Sequence, residues 1–159
     1  MSDTNEMPEN CTPVEASDIK KGRYILIKGR PCKIIDATHH KTGKHGHIKA
    51  SLVGLDLLNH KKCLTSVPGH AKMHEFDIEK NEYQLISMNE DFLDCLDADN
   101  VEHKIRINSD SDMYKEIDKE YQSGKTINVI VIKVPVALSA KKSIMEEAID
   151  SYAASHPVE

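Results

Sequence analysis

There is no tryptophan in this sequence, and the other aromatic residues, five Tyr and two Phe, make up only 4% of it. A core stacked from rings is thereby excluded, so any interior must be built from Ile, Val and Leu. Paired cysteine motifs are missing too. Cys11, Cys32, Cys63 and Cys95 contain no C-x-x-C, and gaps of about thirty residues fit neither a zinc ribbon nor a dense disulfide scaffold. Reduced, buried thiols are expected. No long apolar run occurs, and MSDTNEMPENCTPVEAS has no basic segment followed by an apolar one. Neither a membrane-spanning helix nor a secretory leader is indicated, so a cytoplasmic protein is expected and the Asn10-Cys11-Thr12 sequon would go unused.

An excess of positive charge is also absent overall, since the net charge is −5, which speaks against a uniformly basic nucleic-acid binder. The mean conceals a split. Residues 13–77 carry 12 Lys and Arg against 6 Asp and Glu, whereas residues 78–159 carry 9 against 17. Such asymmetry predicts two modules, with the electrostatic footprint on the first.

Residues 1–12 are polar and acidic and predict a disordered tail. Tyr24 to Lys28 and Cys32 to Ile35 read as strands about a Gly29-Arg30-Pro31 turn. Ile48, Ala50 and Leu52 then alternate with His47, Lys49 and Ser51, the period of a half-buried strand. Lys62 to Val67 and Ala71 to Phe76 complete about five short strands, the pattern of a small barrel over residues 13–77. Within that module Cys32 and Cys63 read as core.

From residue 78 the order is strand, strand, strand, helix, strand. The helix is expected at Asp112 to Gln122, where Met113, Ile117 and Tyr121 recur every fourth residue before a Ser123-Gly124 stop. That is the order of a five-stranded oligonucleotide-binding (OB) barrel over residues 78–152, provided a fifth strand exists. Past Pro135 the strand reading weakens. Val136-Ala137-Leu138 offers a remnant, while Ser143-Ile144-Met145-Glu146 has capping-box spacing, and Ile144, Ala148 and Tyr152 suit one face of a terminal helix. Residues 153–159 read as a tail. Phe92 and Tyr121 are expected in the core, and His60, His70 and His74 at the surface or in turns. Ser139-x-x-Lys142 matches a nucleophile motif but has no companion motif.

The segment from His39 to His47 has two glycines and no large apolar residue, so it reads as a hairpin tip. Gly43 and Gly46 allow a tight backbone turn that throws Lys44 outward. Lys41, His45, His47 and Lys49 make the tip cationic, suited to a phosphate-lined crevice. On these residues alone, a solvated hairpin tip with incidental basic residues is the better reading. A P-loop is excluded, because His45 follows Lys44 where Ser or Thr is required. A metal site drawn from His39, His40, His45 and His47 lacks Cys, Asp or Glu and matches no common spacing. A catalytic lysine would need burial or a close cation to lower its pKa.

Thr42-Gly43-Lys44-His45-Gly46-His47-x-Lys49 resembles the hypusine loop of the eukaryotic translation initiation factor 5A family, relatives of bacterial elongation factor P. Lys28 to Ile34, Leu52 to Asp56 and Tyr83 to Ile86 resemble further family segments in order, and the similarity covers roughly residues 15–134. Ile48 departs from it, standing where the family usually has alanine. The resemblance implies a mostly β protein of two small barrels, an N-terminal SH3-like barrel and a C-terminal OB-fold with one helix. It implies no enzymatic activity, no catalytic residue, no metal and no cofactor beyond a spermidine-derived hypusine at Lys44, the modified residue. Lys41, Thr42, Gly43, His45, Gly46, His47 and Lys49 would support modification and tRNA contact. The implied partners are the ribosome near its exit site, peptidyl-tRNA, deoxyhypusine synthase and deoxyhypusine hydroxylase, with a homodimer left open. The implied role is positioning peptidyl-tRNA for peptide-bond formation, notably at proline runs, and for termination. The alternative is a general RNA-binding module with an unmodified basic loop.

Overall fold

The computed structural model describes residues 11–41, 48–137 and 143–155. It is mostly β, with two antiparallel sheets and, among the described residues, one α-helix. The chain divides into two compact units. Of the described residues, 11–41, 48–56, 61–78, 134–137 and 143–146 belong to the first, and 57–60, 79–133 and 147–155 to the second.

The first sheet contains β1 (Cys11–Glu15), β2 (Tyr24–Ile27), β3 (Arg30–Lys41), β4 (Ile48–Asp56), β5 (Lys62–Pro68) and β6 (Lys72–Phe76), in the order β1-β6-β2-β3-β4-β5. It has one strand more than the sequence pattern suggested. β1 begins at Cys11, inside the expected tail, because its backbone finds a ladder along β6 from Cys11↔Phe76 to Glu15↔Lys72. Ile19, Ile25, Ile27, Cys32, Ile34 and Leu52 form a core cluster of this unit, largely aliphatic as the shortage of rings requires, and Tyr24 and Phe76 are buried as well. β4 passes very close to that core at Gly54. A Cβ there would meet Ile27 Cδ1 at 2.8 Å and Cys32 Cβ at 3.0 Å.

The second sheet contains β7 (Lys80–Asn89), β8 (Phe92–Leu96), β9 (Glu102–Arg106), β10 (Thr126–Ala137) and β11 (Ser143–Ser155), in the order β11-β10-β7-β8-β9. Helix α1 (Asp112–Gln122) precedes β10 and buries Ile117 completely, with Met113 and Tyr121 packed on the same core. Its start is capped by Ser111, and Gly124 beyond its end adopts a φ of 84°, the left-handed region that glycine tolerates.

The terminal segment corrects the sequence reading. Ser143–Ser155 is a strand paired with β10, so the fifth strand exists and the expected helix does not. Ile144, Ala148 and Tyr152 do have helical spacing, but the segment pairs with β10 instead, and that pairing overrides a weak local preference. The strand buries Ala148 and Ile149 and leaves Ile144 44% exposed.

Candidate functional site

The cationic tip is approached along two strands. β3 and β4 pair from Cys32↔Asp56 outward, pass a bulge between Ile34 and Asp36, and end at Lys41↔Ile48. Thr42, Gly43, Lys44, His45, Gly46 and His47 lie outside the described residues; Lys41 and Lys49 lie within them. In an antiparallel ladder, directly opposed residues share a face. Lys41 therefore sits with Ile48, and Lys49 with His40 on the other face. The two lysines flank the tip on opposite sides. His39, His40, Lys41, Ile48 and Lys49 are all exposed, so the arms end in a basic surface, while Ala50 and Leu52 further down β4 are buried.

The base of the tip is held by backbone bonds from elsewhere in the first unit. The Gly69 N–H donates to the Ile48 carbonyl at 2.6 Å, and the Gly69 carbonyl accepts from Ser17 N–H at 2.8 Å. On the other arm, His39 Nε2 shares a 3.3 Å hydrogen bond with the Ala16 carbonyl. Gly69 is buried, and a Cβ on it would lie 3.0 Å from both Cβ and Cγ2 of Ile48. The Ile48 carbonyl oxygen stands at the same 3.0 Å, so position 69 is closed to a side chain by the backbone and Cβ of residue 48 as much as by its branch. Pro68-Gly69 is legible in sequence as a turn, but its contact with Ile48 depends on register.

A two-point ion pair ties the inner ends of the same arms. Arg30 Nε donates to Asp56 Oδ2 at 2.6 Å and a terminal guanidinium nitrogen donates to Oδ1 at 3.2 Å, with Asp56 buried. Among the described residues, no group of three or more His, Cys, Asp and Glu is placed to hold a metal ion. Among the same described residues, no helix is long and apolar enough to cross a membrane.

In the second unit, His103 on β9 binds carboxylates through both ring nitrogens, Asp97 Oδ2 at 2.8 Å and Glu147 Oε1 at 2.9 Å. Tyr83 donates its hydroxyl to the other Glu147 oxygen at 2.7 Å and stacks on the imidazole, ring centroids 4.5 Å apart. The bond to Asp97, then the bond to Glu147, raises the His103 pKa above the ordinary histidine value. β9 and β11 are the two edges of the five-stranded sheet, so this imidazole joins the edges through side chains. Such a group stabilises; it offers no nucleophile. Phe92, expected in the core, is half-buried, with Lys104 Nζ at 5.2 Å and the Arg106 guanidinium carbon at 5.4 Å from its ring centroid. Its position opposite Arg106 in the β8–β9 ladder puts it on the outer face.

Comparison with known proteins adds two family matches in chain order. Residues 9–71 match a model described as translation initiation factor 5A-like, N-terminal. Residues 77–135 match one described as eukaryotic elongation factor 5A hypusine, DNA-binding OB fold. A eukaryotic translation initiation factor 5A-2 of Solanum lycopersicum is 37% identical over 122 residues, 76% of each chain. A eukaryotic translation initiation factor 5A of Zea mays is 36% identical over 121 residues, covering 75% of this chain and 76% of its own. Among solved structures, a translation initiation factor eif-5a family protein from Naegleria fowleri aligns with a TM-score of 0.59 at 28% identity, over 91% of this chain and 99% of its own. A eukaryotic translation initiation factor 5A from Methanococcus jannaschii aligns at 0.57 over 89% and 96%, its 20% identity supporting likeness of fold alone.

Proposed function

Because the chain belongs to the eukaryotic translation initiation factor 5A family, and so is a translation factor, we propose that it acts on the ribosome through a hypusine formed at Lys44. In this reading, deoxyhypusine synthase transfers an aminobutyl group from spermidine to the Lys44 amine, and deoxyhypusine hydroxylase adds a hydroxyl. The extension brings a second amine and about 6 Å of reach, at ~1.2 Å per bond. The factor binds near the exit site, and the lengthened side chain reaches the acceptor end of peptidyl-tRNA. Two cationic amines and one hydroxyl then hold that end in a reactive geometry. The effect is greatest where peptide transfer is slow, at proline runs, and at termination. The factor itself makes and breaks no bond.

The observation that carries this reading is the β3–β4 ladder. It ends at Lys41↔Ile48 between exposed basic residues, with Lys44 in the six-residue connection and its base tied to Gly69. Phosphate contacts from such arms are strong, dependent on salt and indifferent to base sequence.

Intact mass and peptide mapping of protein from its native cells test the modification: a hydroxylated aminobutyl group on the Lys44 peptide is expected, and bare lysine throughout would overturn it. Lys44→Arg keeps a charge but blocks modification. It is expected to stall translation at proline runs, and normal elongation would remove the mechanism.

A further inference from the structure

Cys32 on β3 and Cys63 on β5 are separated by a whole strand, β4, yet their sulfurs lie 3.8 Å apart. Gly54 makes this approach possible. It is the β4 residue registered with Cys63, and the Cβ it lacks would stand 3.0 Å from Cys32 Cβ and 3.5 Å from Cys32 Sγ. Cys32 is fully buried and Cys63 half-buried, so the pair has a closed inner side and an opening through β5.

We propose that Cys32 and Cys63 form a two-sulfur binding site for a soft monovalent cation of the Cu(I) class. Thiolates select such ions. With metal–sulfur bonds of about 2.3 Å, a linear two-sulfur complex sets its sulfurs about 4.6 Å apart, so the observed 3.8 Å has to open by about 0.8 Å, which rotation of the half-buried Cys63 side chain supplies without moving the backbone. A disulfide suits the pair poorly. Adjacent strands lie about 4.8 Å apart, and residues two strands apart exceed the Cα separation of roughly 4.4–6.8 Å that a disulfide tolerates. Zinc is disfavoured because it requires about four ligands, and no third His, Cys, Asp or Glu joins a metal-holding group among the described residues.

Binding exchanges two S–H protons for one cation: Cu(I) and two thiols give a bis-thiolate complex of charge −1 and two protons released to solvent, with no change of oxidation state. Arg30 lies within electrostatic reach of both sulfurs, but its charge is already paired with Asp56, and that carboxylate opposes a Cys32 thiolate more than Arg30 favours it, so the metal–sulfur bonds have this cost to outweigh as well. Burial raises the Cys32 thiol far above the ordinary range, which makes its sulfur a poor peroxide target. Only an ion whose sulfur bonds outweigh deprotonation enters.

The test is anaerobic titration of the full chain with Cu(I) in competition with bicinchoninate. One Cu(I) per chain is expected, with X-ray absorption showing two sulfur neighbours. Cys63→Ser should weaken the apparent affinity by about 100-fold or more, and Cys63→Val, suited to a strand, should do the same if the serine variant folds poorly. Cys11→Ser, which removes a half-buried thiol elsewhere, should leave binding unchanged. Failure of the wild-type chain to compete would overturn the site, as would Cys63 variants that bind like wild type or loss of binding in Cys11→Ser.

Discussion

Gly69 and Ile48 interlock at the root of the cationic loop: the glycine N–H donates 2.6 Å to the isoleucine carbonyl, and the isoleucine side chain occupies the space a Cβ on Gly69 would take. Gly69→Ala should force the two apart. Overpacking of this kind costs about 1–3 kcal/mol, and the displaced carbonyl belongs to the residue that closes the β3–β4 ladder. The double variant Gly69→Ala, Ile48→Ala should recover only part of the loss, because the Ile48 Cβ and carbonyl oxygen, which alanine keeps, stand as near to the added Cβ as Cγ2 does. Urea unfolding of the four proteins in a mutant cycle measures the coupling, and strictly additive effects would show that the interlock does not exist.

The second unit should lose stability as pH rises past the ordinary histidine value and through the raised one. His103 is held above its ordinary pKa, first by Asp97 and then by Glu147. Its stabilisation is therefore complete below the ordinary histidine value and disappears as pH climbs through the raised folded value. Asp97 moves the opposite way, lowered first by the same hydrogen bond, so its share is present above the ordinary aspartate range and is lost as pH falls through the lowered value. Urea unfolding of wild type and His103→Gln from about pH 5 to about pH 9 should show the widest gap at the acidic end, closing upward. A gap that is flat with pH would mean the imidazole carries no linked charge.

Helix α1 should depend on its cap. Ser111 Oγ donates to the Asn108 carbonyl at 2.6 Å and accepts from Tyr114 N–H at 3.2 Å. Ser111→Ala removes both bonds at a buried position and is expected to cost about 1 kcal/mol. Ser111→Asp, which preserves an acceptor, should cost less. Equal losses in the two variants, read by thermal unfolding, would show that capping is not the reason.

What the sequence disclosed follows the range of the interactions involved. Helix α1 was legible because Met113, Ile117 and Tyr121 repeat every fourth residue before a Ser123-Gly124 stop. The arm β4 was legible because Ala50 and Leu52 alternate with Lys49 and Ser51. The loop around Lys44 was legible as a motif, and the structure adds the arms that carry it. Gly69 was hidden because an absent Cβ matters only once register brings Ile48 against it. The bond from His103 to Glu147 spans 44 positions in sequence, and no local pattern announces it. Phe92 looked like core by composition, yet the pairing with Arg106 sets its face.

The last strand is where local and non-local signals disagree most, and two isoleucines separate them. A terminal helix would bury Ile144 together with Ala148 and Tyr152, whereas the strand leaves Ile144 44% exposed and Ile149 fully buried. Ile149 belongs to the same core as Leu93, Ile105 and Ile117, so Ile149→Ala removes packed methyl groups from a closed interior and should cost about 2–5 kcal/mol. Ile144→Ala should stay within about 0.5 kcal/mol, because its side chain already meets water. Denaturant midpoints of the two variants decide the matter. A larger loss at Ile144 than at Ile149 would restore the helical face, and with it an OB sheet that lacks its fifth strand.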